Sequence, residues 1–245
     1  MHTVHAGLLA LHIATGTVAI IAFWLPILAR KGGPLHVRAG QFYVWAMYAV
    51  SFTALAMSLV VLFDPIGVRV PERNLDMSRA MAIANGNRMF ALFLLMLGLL
   101  VLSALRHGLL ALRARRGEDV LQRTGHRLLI GALGVSGLVV GVIGWQNGEL
   151  LLMIFSVFAV TGSFSMMRES IKPKLTPREA LIAHFNGLIG TGVGAYTALF
   201  AFGGRRFLSD LLSGQWQVLP WIAPAIIGTV IVAYMKRNYP TRSPA

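Results

Sequence analysis

Lys31-Gly-Gly-Pro-Leu-His36-Val-Arg-Ala-Gly40-Gln-Phe-Tyr43-Val-Trp-Ala-Met47 joins a basic break to the start of a long apolar run. Gly32, Gly33 and Pro34 interrupt whatever helix comes from the N-terminal side. A histidine follows, and the chain then turns apolar. The same order of events recurs twice. Arg113 to Arg123 leads into Thr124-Gly125-His126 and a glycine-rich apolar run. Arg168 to Arg178 leads into His184-Phe185-Asn186-Gly187 and another. Three histidines therefore enter three hydrophobic segments, each just past a cluster of positive charge.

Composition decides what those segments are. The chain is 56% hydrophobic and only 13% charged, against about a quarter charged in a soluble domain. Its mean hydropathy is +0.68. The sequence predicts an all-α, polytopic membrane protein, a bundle of seven transmembrane helices, with a single domain over 1–237 and a short loose tail over 238–245. A span needs about 20 residues, and seven runs reach that length, at 4–29, 39–63, 88–112, 127–146, 149–168, 180–202 and 217–236. The first reads as a retained helix, since no basic region precedes it and it is long for a signal sequence. Between the second and third runs, Met77 to Ala84 reads as a short helix lying on the membrane surface.

The net charge of +13 suits nucleic acid in a soluble protein, but here it sits in the loops that set orientation, and no nucleic-acid partner is expected. Most of the 22 Lys and Arg fall in the first, third and fifth loops and the C-terminal tail. Arg69, Arg73, Arg79, Arg88, Arg205 and Arg206 fall on the other side. This split puts the N-terminus outside and the C-terminus in the cytoplasm. His36, His126, His184 and His107 then lie at the cytoplasmic end, and His5 and His12 toward the outer face, where they form a polar pocket or helix–helix hydrogen bonds.

Residues at i, i+3, i+4 and i+7 share a helix face. His36, Gly40, Tyr43, Met47, Ser51, Ala54 and Ser58 form one such stripe; His126, Gly134, Gly137, Gly141 and Gly144 a second; His184, Gly187, Thr191, Gly194 and Ala198 a third. Small residues belong between helices rather than against lipid, so each histidine begins an inward stripe. The glycines are explained by tight packing. The histidines point further, because ionisable groups at membrane depth tend to be functional and neutral imidazole is a haem and metal ligand. His126 paired with His184 or with His36 is the expected axial or metal-ligating set, placing all three within one cofactor diameter. Arg38, Arg123 and Arg127 would neutralise propionates. Tyr43, Trp45 and Tyr196 would line a quinone-sized cleft.

Absences narrow the function. With no cysteine there are no thiolate metal sites, iron–sulfur clusters or thioether-linked haem. All nine acids fall in loops or at helix ends, so no mid-membrane carboxylate serves a proton pump or an intramembrane hydrolase. No P-loop, HExxH or GxSxG is present, and no catalytic residue is assigned.

Two pieces, Lys31-Gly-Gly-x-x-His36-x-x-x-Gly40-x-x-Tyr43 with Met47 and Arg116-Gly-Glu-Asp-x-x-x-x-x-His126-Arg127, resemble an uncharacterised bacterial family of multi-pass membrane proteins over residues 5–145. His184 followed by Gly194-x-Tyr196-Thr197-Ala-x-Phe200 is similar as well. The family continues the second piece with a tryptophan-methionine pair, where this chain has Arg-Leu-Leu-Ile. The resemblance implies a bacterial cytoplasmic (inner) membrane protein. More distantly, a histidine-bearing bundle is similar to transmembrane b-type cytochromes, which implies haem b and a quinone or other membrane redox partner. Against this stand a non-enzymatic accessory or assembly protein and a carrier for a small or lipid-like solute. Haem absorbance separates the first from the others, and paired repeats with broken helices would mark the carrier.

Overall fold

A computed structural model describes residues 1–68, 76–204, 212 and 214–238. Arg69, Glu72, Arg73, Arg205, Arg206, Asp210 and the tail from 239, with Arg242, lie outside the described residues. The helices are α1 (His2–Leu28), α2 (Pro34–Phe63), α3 (Met77–Arg115), α4 (Thr124–Asn147), α5 (Leu150–Ser170), α6 (Pro177–Ala198) and α7 (Leu219–Asn238). A π segment, Leu199–Gly203, extends α6, and a 3-10 turn, Gly214–Val218, leads into α7. Seven helices are long and apolar enough to cross a membrane, and no strand occurs among the described residues. The protein is an all-α, multi-pass membrane protein. Its exposed Trp45, Phe63 and Trp145 are 72%, 80% and 79% accessible, as side chains facing lipid are.

The expected surface helix over 77–84 is instead the first two turns of the 39-residue α3. Met77 to Ala84 holds no proline or glycine, and neither Gly86 nor Asn85 carries enough helix penalty to stop a helix already anchored on both sides. Its start is fixed by Asp76, whose Oδ1 accepts from Arg79 N at 2.7 Å and from Ser78 Oγ at 2.9 Å.

Helix ends follow local chemistry. At Gly117 (φ 89°) and Gly148 (φ 68°) the chain enters the left-handed region that favours glycine. Each closes a Schellman motif: Glu118 N bonds Arg113 O and Gly117 N bonds Ala114 O; Glu149 N bonds Gly144 O and Gly148 N bonds Trp145 O. α6 opens with a capping box, Thr176 and Glu179, and Pro177 in its first turn.

The chain divides into two compact units, Met1–Ser103 with Leu128–Met167, and Ala104–Arg127 with Arg168–Ala245. In the first, α1 lies along α2. His12 Nδ1 donates to Val50 O at 3.1 Å and lies 2.9 Å from Thr53 Oγ1, a helix–helix hydrogen bond of the kind expected there. The inward stripe of α2 holds: Tyr43, Met47, Ser51 and Ser58 are all at most 2% exposed. α4 meets α5 along its glycines. A Cβ on Gly134, Gly137, Gly141 or Gly144 would stand 2.7 to 3.0 Å from Ser163, Ala159, Ser156 or Leu152, so glycine lets the two helices approach closely along the whole contact.

In the second unit, Gly187 of α6 crosses Gly108 of α3, where a Cβ would stand 2.5 Å from Ala104 O. Gly228 of α7 accommodates Val193 of α6 in the same way. The loop 116–123 is short and anchored. Val120 and Leu121 are 1% exposed, Arg113 Nε donates to Glu118 at 2.8 Å, and Gln122 Nε2 donates to Lys172 O at 3.0 Å.

Candidate functional site

The anchored loop 116–123 sets the end of α3 beside the start of α4. The result is a line of three ionisable side chains within the second unit. Glu169 Oε2, at the end of α5, is 2.7 Å from His107 Nε2. His107 Nδ1 is 3.0 Å from His126 Nε2. The imidazole centroids are 5.2 Å apart with planes 24° from parallel. With the nitrogens that close, the rings meet nearly edge to edge, as an N–H···N bond requires. His107 is 3% exposed and His126 0%, while the Glu169 side chain keeps 22% of its surface.

Proton positions follow from the acceptors. An ionised Glu169 accepts, so His107 carries its proton on Nε2. His107 Nδ1 is then an acceptor, and His126 places its proton on Nε2. This leaves His126 Nδ1 with a lone pair. That atom is buried and has no hydrogen-bond partner among the described residues; Arg106 Nε, Arg127 Nε and Ser170 Oγ share this condition. Arg127 Nη2 donates to Ser170 O at 2.7 Å, and Arg123 is exposed.

The other expected residues have different surroundings. His36 belongs to the first unit, where its Nδ1 donates to Pro26 O at 2.8 Å. Lys31 Nζ donates to the same carbonyl at 3.1 Å and also bonds Ile27 O. The Lys31 to His36 motif is thus a clamp on the C-terminal carbonyls of α1, which have no helical donors of their own. His184 Nδ1 donates to Gly108 O at 3.1 Å, one residue beyond His107. His5 is half-buried. Tyr43 is buried against Phe23, centroids 5.6 Å apart, while Trp45 is exposed, so these two do not line one cleft. Two positions apart on a helix, they point to different faces.

The haem arrangement expected around His126 meets two obstacles. Its Nε2 is engaged by His107, and the glycine stripe below it is filled by α5. Among the described residues no group of three His, Cys, Asp or Glu side chains is placed to hold a metal ion; Glu169, His107 and His126 form a line, not a shell.

Glu169, Arg106 and Ser170 were not among the candidate site residues. Glu169 did carry a signal. An acid in the last turn of a helix opposes the helix dipole, a placement that asks for a cationic or proton-sharing partner. Scans against protein-family models, curated proteins and solved structures found no match for this chain.

Proposed function

We propose that this membrane protein carries a proton-transfer centre that exchanges protons between a ligand at His126 Nδ1 and the more exposed Glu169. The carrying observation is the unbroken chain Glu169–His107–His126, in which both nitrogens of His107 are engaged. A proton arriving at His126 Nδ1 releases the Nε2 proton to His107 Nδ1. His107 in turn passes its Nε2 proton to Glu169. No atom moves far, and each imidazole ends as its other neutral tautomer. The reverse sequence delivers a proton to the ligand. The centre sits at the basic ends of its helices, which this reading places on the cytoplasmic face of a bacterial inner membrane.

Nitrogen-15 NMR on histidine-labelled protein tests the relay. His107 and His126 should exchange tautomers together in the wild type. In Glu169→Gln the coupled step should vanish. A His126 signal that exchanges identically with and without the Glu169 carboxylate would refute the chain.

A haem b redox protein with a quinone partner is the second reading, favoured by one observation. His36 and His184 both give Nδ1–H to a backbone carbonyl, the support typical of a histidine that binds iron through Nε2. An absorption spectrum of protein purified from haem-replete cells decides this, since a b-type haem gives a strong Soret band and its absence removes the reading.

A further inference from the structure

We propose that Arg106, His126, Arg127 and Ser170 form a site for a phosphate-type oxyanion, and that each anion bound there brings one proton into the Glu169–His107–His126 chain. This rests on the proton-transfer reading above and names its ligand.

The argument begins with unpartnered atoms. Four buried polar atoms of the second unit lack partners among the described residues: Arg106 Nε, His126 Nδ1, Arg127 Nε and Ser170 Oγ. Each adjoins or belongs to the relay in sequence: Arg106 precedes His107, Arg127 follows His126, and Ser170 follows Glu169. His126 and Ser170 are 0% exposed. Buried polar groups in folded proteins are paired, and a group of unpaired ones calls for a bound partner. Three of the four are nitrogens, two of them guanidinium N–H groups that can only donate.

Charge selects the ligand. Arg106 and Arg127 bring two positive charges, and Glu169 brings one negative. The guanidinium of Arg106 lies within electrostatic reach of the His126 ring. Lys172 is paired with Glu179 at 2.6 Å, and Arg113 and Arg116 with Glu118. No described carboxylate forms an ion pair with Arg106 or Arg127, so one positive charge remains in excess with the histidines neutral. An oxyanion with several acceptor oxygens satisfies both the charge and the donors.

The proton balance follows from the tautomers. Without ligand, protons sit on His107 Nε2 and His126 Nε2, and Glu169 is ionised. With the anion bound, His126 Nδ1 must donate. Its Nε2 proton therefore passes to His107 Nδ1, and the His107 Nε2 proton passes to Glu169. One proton has entered from the ligand or from water, and one negative charge has entered with it.

The test uses full-length protein in phosphatidylcholine nanodiscs and dimethyl phosphate, which stays a monoanion across the pH range. The readout is the nitrogen-15 shift of His126 Nδ1. Saturable binding should tighten about tenfold per pH unit lowered while the chain is unloaded, the signature of one proton taken up. Arg106→Gln and the charge-keeping Arg106→Lys should each weaken binding at least about tenfold. Nanodiscs containing phosphatidylglycerol, without added anion, should shift the same nitrogen if a lipid headgroup is the source. If only dimethyl phosphate moves it, the source is a free anion. A nitrogen unmoved by either, or binding unchanged in both Arg106 variants, overturns the anion site while leaving the relay intact. Tight binding with no pH dependence overturns the proton coupling and the relay with it.

Discussion

His107 has a carboxylate on one nitrogen and a second imidazole on the other. Removing it strands partners on both sides. His107→Ala leaves the fully buried His126 with no described hydrogen bond at either nitrogen, and a buried polar group left unpaired costs about 1–3 kcal/mol. The variant should unfold more readily than wild type, and His107→Ala with Glu169→Ala should cost less than the two single changes together. Chemical denaturation in mixed micelles measures both, and additive losses would mean the 2.7 Å contact contributes nothing. At this scale His107 and His126 stood among the candidates that the sequence offered, beside His36 and His184, but nothing in the sequence paired the two. His107 and His126 are nineteen positions apart, and their meeting depends on the anchored loop 116–123, whose buried Val120 and Leu121 look like any short connection when read alone. Glu169 was legible only as an acid in the wrong turn of its helix.

All seven spans were legible, their ends within about five residues except at the start of α3, because hydropathy over a span is a sum of many small terms that agree. The exception is α3, which runs on unbroken from a local cap because Met77 to Ala84 holds no proline or glycine. Its start depends on Asp76, whose carboxyl is held below the usual range first by the Arg79 N–H and then by the Ser78 hydroxyl. A depressed folded-state value means that the cap is complete above the unfolded-state value and is lost as pH falls through the folded-state value. Amide-exchange protection of Ala80 and Met81 should therefore fall on acidification in the wild type. In Asp76→Ala it should be low at every pH, and a pH-independent wild type would dismiss the cap. The clamp on α1 and the α3–α6 crossing give firmer expectations. His36→Ala removes a hydrogen bond to Pro26 O but no ligand contact of the relay, so it should lower stability by about 0.5–1.5 kcal/mol and leave the His107 and His126 nitrogen spectra as they were. Gly187→Leu must push α6 off the Ala104 carbonyl. Overpacking of this kind costs about 1–3 kcal/mol, and the bond from His184 to Gly108 O should break with it. An unaltered His184 spectrum in that variant would contradict the close crossing.

For the molecule as a whole, the number of spans and their charge decide orientation. Seven crossings would put the start of α1 and the end of α7 on opposite sides of a membrane. The basic residues at the ends of α1, α3, α5 and α7 and at the starts of α2, α4 and α6 include Arg30, Lys31, Arg38, Arg113, Arg115, Arg123, Arg127, Arg168, Lys172, Lys236 and Arg237. Loops rich in Lys and Arg stay on the cytoplasmic side, so the relay and its arginines should open toward the cytoplasm, with the N-terminus outside. The side chains of Arg113 and Arg116 reach solvent and share the single carboxylate of Glu118 on a loop. Only part of their charge is neutralised, and the rest remains to bias insertion. A reporter active only in the cytoplasm should work when fused after Arg237 and fail when fused before His2. Replacing Arg113, Arg115, Arg116 and Arg123 with Gln should leave the orientation in place if the remaining basic loops suffice, and mixed orientation would show that the α3–α4 loop dominates. Activity of a periplasm-only reporter after Arg237 would reverse the assignment. It would turn Glu169 to the outer side, and a proton taken from a ligand at His126 would then leave the cell rather than enter the cytoplasm.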